Sequence, residues 1–302
     1  MENMKQRYKV AGIGELLWDI LPSGKHAGGA PFNFAFHARQ ANCESYIISA
    51  VGNDQLGIEI TEKVKTSGIR GEYIQKNRFP TGTVTIALTG QGNPTYTVHE
   101  QVAWDHIQWN TEMKMLAKEV DAVCFGSLAQ RTHESRITIC SFLGELSPRC
   151  LKVFDINLRQ DYFNKETILK SLWFSDILKL NEDELPVFAS YFEITGKPLE
   201  QLRQLMQKFN LKYVAYTIGN KGSILISPEE CSVLNAPAVK VVDTVGAGDS
   251  FTAFLVAGIL QEKPIREVHQ KANEAAAYVC TQKGATPILP QKIISQKSNL
   301  ML

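Results

Sequence analysis

Short apolar runs rich in β-branched residues alternate with amphipathic stretches along most of the chain. The runs Lys9–Ile13, Tyr46–Val51, Ala122–Phe125, Leu151–Ile156, Asp176–Leu180, Tyr213–Ile218 and Ser223–Ile226 predict strands. Between them, Phe32–Ala41, Leu56–Ser67, His133–Leu146, Lys165–Phe174 and Leu199–Phe209 predict helices, and Arg266–Gln282 predicts a late amphipathic one. This alternation predicts an α/β domain with a mainly parallel sheet and helices on both faces. No period of 20–50 residues repeats and no low-complexity linker divides the chain, so 1–302 reads as a single domain.

One region breaks the rhythm. From Thr83 to Thr89 the residues Val84, Ile86 and Leu88 alternate with Thr83, Thr85, Ala87 and Thr89. The turn-forming Gly90-Gln-Gly-Asn-Pro94 follows, then Thr95-Tyr-Thr-Val98, which together predict a hairpin. Such a hairpin either leaves the main sheet as a small lid or dimer contact, or extends that sheet.

Polar residues gather where predicted strands end. Gly14 and Glu15 follow the first strand, Gly52, Asn53 and Asp54 the second, and Gly126 and Ser127 the third. Asn157 and Arg159 follow the run that holds Asp155; Asn181 and Glu184 follow Leu180, and Gly219 follows Ile218. Ligands of open α/β sheets bind outside the carboxyl ends of the strands, so these residues predict a cleft there.

The stretch Asp243-Thr-Val-Gly-Ala-Gly-Asp249 leads into an apolar helix. A helix start carries unsatisfied N–H groups and partial positive charge, and Gly246 and Gly248 leave them open to an anion. Asp249 in the first turn is then placed to take a proton from a hydroxyl. The plainer alternative is a glycine turn with an acid favouring the helix start. Other phosphate motifs are missing. No G-x-x-x-x-G-K-S/T string occurs, because Gly24-Lys25 has Asp19 where the partner glycine belongs. No His-Arg-Asp kinase signature occurs, and Gly12-Ile-Gly14 has Leu17 at the third glycine position of a dinucleotide fingerprint.

Composition narrows the partners. The 302 residues are 44% hydrophobic and 21% charged with a net charge of +1, which gives no case for nucleic acid or a membrane surface. The most apolar stretch, Phe254–Leu260, is too short to span a bilayer, and no signal-peptide core opens the chain. Six scattered cysteines without a C-x-x-C pair predict free thiols, and a cytoplasmic location is expected. The six histidines show no ligand spacing, so zinc and iron are not expected.

Taken in order, Gly14-Glu-Leu-Leu-Trp-Asp19, Gly28-Gly-Ala-Pro-Phe-Asn33, Val51-Gly-Asn-Asp54 with Gly57, Asp155-Ile-Asn-Leu-Arg159, Asn181-Glu-Asp-Glu184, Thr217-Ile-Gly219 with Lys221-Gly222, and the Asp243–Asp249 loop resemble the PfkB, or ribokinase-like, carbohydrate kinases, and among them the fructokinases. The resemblance runs from Gly12 to about Pro290. It implies a ribokinase-like three-layer fold with a small β-lid built from about 15–27 and 72–104, and ATP-dependent phosphorylation of a sugar hydroxyl. It implies Asp249 as general base, Gly246, Ala247 and Gly248 as the anion hole, and Arg159 as the group that neutralises the moving phosphoryl. Asp19, Gly28, Gly29 and Asn33 would clamp the sugar. Asn181, Glu184, Thr217, Gly219, Gly222 and Asn273 would serve the nucleotide, with Glu184 orienting Mg²⁺ through water. Asp243 and Val245, near Gln282–Thr286, match a monovalent-cation region, K⁺ in this reading. A homodimer through the lid is expected, with no nucleic acid or membrane partner.

Bland alternatives stand beside three of these: Glu184 as a helix-dipole residue, Asn273 as a solvent-facing one, Arg159 as a surface ion pair. Fructose is the favoured sugar, from Gly28–Asn33 and Ala103-Trp-Asp105. A sugar-acid substrate such as 2-keto-3-deoxygluconate calls for an inward Arg, with Arg39, Arg78 and Arg131 as candidates; ribose is a further alternative. A sugar phosphate calls for a basic cluster that the chain lacks. A non-catalytic sensor would have lost the acid or the glycines, and an oxidoreductase would need the glycine absent at Leu17.

Overall fold

The computed structural model describes residues 7–21, 24–88 and 94–294. In chain order the strands are β1 Lys9–Ile13, β2 Leu17–Leu21, β3 Gly24–Gly28, β4 Glu44–Gly52, β5 Arg70–Asn77, β6 Gly82–Leu88, β7 Pro94–Val98, β8 Ala122–Phe125, β9 Leu151–Asp155, β10 Ile177–Asn181, β11 Tyr213–Thr217, β12 Ser223–Ile226 and β13 Cys231–Leu234.

Nine of them form one sheet in the order β13-β12-β11-β10-β9-β8-β1-β4-β5. Every pairing from β11 to β5 is parallel, and the hairpin β12–β13 closes one edge antiparallel. The inner strands are mostly apolar because both faces are covered, with Asp155 and Lys179 among the charged exceptions. Successive residues divide between the faces: Phe154 and Leu178 pack with Phe142 and Phe188 on one side. Their neighbours Val153 and Ile177 pack with Phe251 and Leu255 on the other. The helix Ala247–Leu260 lies against helices Ala30–Gln40 and Ile265–Cys280, which accounts for its apolar residues all round.

The ribokinase-like expectation holds, including a separate small sheet. That sheet has the order β3-β2-β6-β7, with β2 and β6 parallel and the outer pairs antiparallel. The hairpin therefore leaves the main sheet, with Val84 opposite Val98; its turn, Gly90–Asn93, falls outside the described residues. One expected boundary moves. Arg70–Asn77, in part assigned to the lid, pairs with β4 in the large sheet, so only β6 and β7 of the 72–104 segment belong to the small one.

The predicted helices appear within a residue or two, as Ala30–Gln40, Gln55–Thr66, His133–Glu145, Lys165–Phe174 and Pro198–Phe209. Asp54 and Asn164 side chains accept from the backbone N–H groups of Gly57 and Thr167, which sets two of the starts. Among the described residues no helix is long and apolar enough to cross a membrane.

Candidate active site

Strand register alone assembles much of the cleft. In the parallel sheet Lys179 lies opposite Asp155, and Asn181 lies opposite Thr217, so the ends of β9, β10 and β11 come level. The start of helix Ala247–Leu260 faces them.

The first group comes from β2, β3 and helix Ala30–Gln40. Asp19 on β2 and Gly28 on β3 are close neighbours: a Cβ at Gly28 would collide with the Asp19 carboxylate, so glycine leaves that carboxylate its room. Gly29 has φ 105°, and a Cβ there would strike the Glu15 carbonyl. Asn33, one turn into the helix, donates from Nδ2 to Asp249 Oδ2 at 2.8 Å. This bond brings a residue expected to hold the sugar and the acid of the Asp243–Asp249 loop into one place.

Gly246 is the N-cap of helix Ala247–Leu260 with φ 79°, and a Cβ would run into Ala285. Asp249 therefore sits in the first turn, where the Ala247 N–H donates to the Thr244 carbonyl at 3.3 Å. Burial pushes the Asp249 carboxyl up to about 6, and nearby Asp155 adds to this; Asn33, Lys179 and Arg159 pull the other way. Asp19 is likewise raised to about 6, chiefly by burial. A carboxylate poised near neutrality can accept a proton from a hydroxyl and release it again.

Two residues given no role on sequence grounds complete the floor. Lys179 is buried, and its Nζ lies 2.8 Å from where a Gly248 Cβ would stand, directly under the anion loop. It donates to Asp155 Oδ1 at 2.9 Å, while Asp155 Oδ2 accepts from Thr252 Oγ1 at 2.7 Å. Three carboxylates, Asp155, Glu184 and Asp249, hold Lys179 charged against the cost of burial. Its signal was a single charge inside the apolar run Ile177-Leu-Lys-Leu-Asn181. Glu15 is the second. It is 2% exposed; Oε1 accepts from Ala30 N–H at 3.2 Å, and Oε2 has no partner. Burial raises it to about 7, and Asp249 adds to the effect.

Arg159 follows β9 and is exposed, with only a 3.4 Å contact from Nη1 to the Leu158 carbonyl. Among the described residues it forms no ion pair, yet its charge lowers the carboxyls of Asp19, Asp249 and Glu15, so it overlooks all three. Glu184 is 4% exposed and ties two strand ends together: Oε1 accepts from Leu158 N–H at 3.1 Å and Oε2 from Asn181 N–H at 2.8 Å. Asn181 Oδ1 in turn accepts from the Asp183 and Glu184 N–H groups. Among the described residues no three His, Cys, Asp or Glu side chains cluster as a metal cage.

The second group lies at the far end of the cleft. Thr217 ends β11, Gly219 opens the following turn with φ 51°, and Gly222 closes it with φ 113°, packed against the Leu234 carbonyl. Asn273 is 8% exposed, not solvent-facing, and joins this group through Ser223 Oγ at 2.9 Å. Asp243 accepts from Val245 N–H at 3.1 Å and from Gly284 N–H at 2.9 Å, which seats its loop on the 282–286 segment.

Residues 23–292 match the pfkB family of carbohydrate kinases. The chain belongs to that family. A sugar kinase of Pyrococcus horikoshii is 30% identical over 299 residues, covering 91% of this chain and 91% of the relative. The crystal structure of that protein, called uncharacterized, in complex with ATP superposes with a TM-score of 0.78 at 28% identity, over 92% of this chain and 94% of the other. An ATP-dependent 6-phosphofructokinase of Thermoanaerobacterium thermosaccharolyticum is 27% identical over 304 residues, covering 94% of this chain and 92% of the relative. A fructokinase of Escherichia coli is 25% identical over 311 residues, covering 96% and 99%. This pfkB kinase thus shares fold and chain length with relatives whose named substrates differ.

Proposed function

We propose that this carbohydrate kinase transfers the γ-phosphoryl of ATP to the terminal hydroxyl of a free sugar, D-fructose, giving fructose 6-phosphate. The observation that carries the reading is the Asn33–Asp249 hydrogen bond, which brings a sugar-binding amide and a raised carboxylate to the mouth of a helix N-terminus. Asp249 takes the hydroxyl proton as the hydroxyl oxygen attacks phosphorus. The N–H groups of Gly246, Ala247 and Gly248 receive the transferring phosphoryl. Arg159, whose charge already lowers the Asp249 carboxyl, answers the charge of that phosphoryl. Asp19, Gly28, Gly29 and Asn33 hold the sugar, while Asn181, Thr217, Gly219, Gly222 and Asn273 border the nucleotide.

Magnesium fits this site through water, since Glu184 and Asn181 are already engaged by backbone N–H groups and no carboxylate cage exists among the described residues. Bound with ATP, it supplies charge neutralisation between the phosphates. Asp243 and the Val245 backbone, clasped to Gly284, form a loop suited to K⁺ beside the anion hole. Among the described residues β3 and β7 are the outer strands of the small sheet, each with one edge that has no strand partner, which supports a homodimer through the lid. Free cysteines throughout suit the cytoplasm.

A neutral sugar suits the charges better than an anionic one. Arg131 alone of the three candidate arginines turns inward, and Asp105 neutralises it through contacts at 2.7 and 2.8 Å. Arg78 lies over the Phe79 ring, and Arg39 lines a groove beside Tyr8 and Asp121 at the opposite ends of the strands. ATP consumption measured against fructose, ribose, 2-keto-3-deoxygluconate and fructose 6-phosphate tests the assignment. Turnover of fructose 6-phosphate or of the sugar acid in preference to fructose would refute it.

A further inference from the structure

Helix Ile265–Cys280 meets the edge hairpin β12–β13 through four buried polar side chains, Ser223, Ser232, His269 and Asn273. Their contacts run end to end. Ser232 Oγ lies 2.8 Å from His269 Nδ1, and His269 Nε2 lies 2.8 Å from Ser223 Oγ. Ser223 Oγ lies 2.9 Å from Asn273 Oδ1, and Asn273 Nδ2 lies 3.3 Å from the Asn235 carbonyl.

The last contact gives direction to all the others. A carbonyl only accepts, so the Asn273 amide must turn its nitrogen to Asn235 and its oxygen to Ser223. Ser223 then donates its single hydroxyl proton to Asn273 and must receive one from its other neighbour. That donor is His269 Nε2–H, which leaves Nδ1 bare to accept from Ser232. Burial keeps the ring neutral by lowering it to about 4. One amide hydrogen of Asn273 goes to Asn235, and the second meets no protein acceptor among the described residues. Asn235 in turn lies against Gly222, where a Cβ would come within 2.8 Å of the Asn235 Cα.

We propose that His269 is a positioning residue for the nucleotide: as the Nε2–H tautomer it fixes, through Ser223, the way the Asn273 amide faces. This edge of the cleft then offers the base a hydrogen-bond donor and selects a base edge carrying an acceptor, such as a ring nitrogen. The inference rests on the reading that Gly222 and Asn273 border the ATP site. Without the relay the amide is free to flip, and the donor is lost or averaged with an acceptor.

Calorimetric titration of the full chain with ATP and with GTP tests this without knowledge of the sugar. His269→Leu and Ser223→Ala are each expected to weaken ATP binding about tenfold, the net worth of one hydrogen bond, and to narrow the ATP-to-GTP ratio. His269→Gln, whose amide N–H can replace Nε2–H, is expected to stay within about threefold of the parent. Neither change adds further loss in an Asn273→Ala background. Should His269→Leu fail to fold, Ser223→Ala, which removes a single oxygen, reads the same link. The inference is overturned if Asn273→Ala weakens ATP while Ser223→Ala and any folded His269 variant do not. If Asn273→Ala leaves ATP binding unchanged, the nucleotide placement itself falls, and the inference with it.

Discussion

Asn33 donates to Asp249 at 2.8 Å across 216 residues of chain, joining the starts of two helices that follow different parts of the fold. The bond holds the Asp249 carboxylate in one orientation before any substrate arrives. Asn33 Oδ1 is buried and has no partner among the described residues, so the same amide keeps an acceptor for an incoming hydroxyl. In the proposed mechanism, sugar binding and proton removal therefore share one side chain.

The first prediction follows from that sharing. Asp249→Asn keeps the shape and an oxygen for Asn33 but removes the base. It should lower kcat by at least about 10²-fold while the protein remains folded and binds ATP normally. Steady-state rates together with nucleotide titration check this, and a near-parent kcat would take Asp249 out of the base role.

The pH profile is the second. Asp249 must be ionised to act, and its pKa is raised to about 6, so kcat should fall as pH drops through about 6. The hydrogen bond from Asn33 holds this carboxyl down. Asn33→Ala should therefore move the acid limb to higher pH as well as raising KM for the sugar. Rates from pH 5 to 8 for both proteins decide it. A limb that stays in place in Asn33→Ala would show that the titrating group is not Asp249.

Much of this site was legible in the chain, and the gaps have physical causes. β1 after Lys9, β8, and β10 apart from Lys179 and Asn181 are apolar because both faces are covered, so their pattern survives in isolation. β2 and β3 fall in the 15–27 segment that the family resemblance assigned to a lid, but the apolar pattern does not mark them, because Leu17–Leu21 and Gly24–Gly28 are short and half-exposed, with Asp, Lys and His among them. Asp19, Asn33 and Asp249 were identified by motif, but no local pattern links residues 216 apart. Lys179 had no role in the sequence reading, because what gives it one is the Gly248 loop that rests on it in three dimensions. His269 carried no ligand spacing at all, and its meaning lies in the direction of a hydrogen-bond chain that closes only in three dimensions.

The buried pair under the anion loop gives a third prediction. Lys179→Met leaves Asp155 charged and buried with only Thr252 as partner, which should destabilise the fold by about 3–5 kcal/mol. Adding Asp155→Leu removes the stranded charge and should recover most of that loss. Denaturant unfolding of the parent, both single variants and the double variant measures the coupling. Additive losses would mean that the 2.9 Å contact carries little of the pair's energy.

Glu15 makes a fourth, through the cost of burying its charge. Its folded pKa of about 7 lies above the ordinary 4.5, so the folded chain binds this proton more tightly than the unfolded chain does. The stability it contributes is complete below about pH 4.5 and is lost as pH rises toward 7. A shift of that size amounts to at most about 3 kcal/mol lost above pH 7. Asp19 and Asp249, both raised to about 6, act with the same sign over a narrower window. Glu15→Gln retains an oxygen for the Ala30 N–H and cannot ionise. It should raise unfolding free energy by about 1–3 kcal/mol at pH 8 and by almost nothing at pH 4.5. Chemical denaturation at the two pH values checks this. An equal gain at both would trace the effect to packing, and no gain at pH 8 would show that Glu15 bears no such burden in the folded chain.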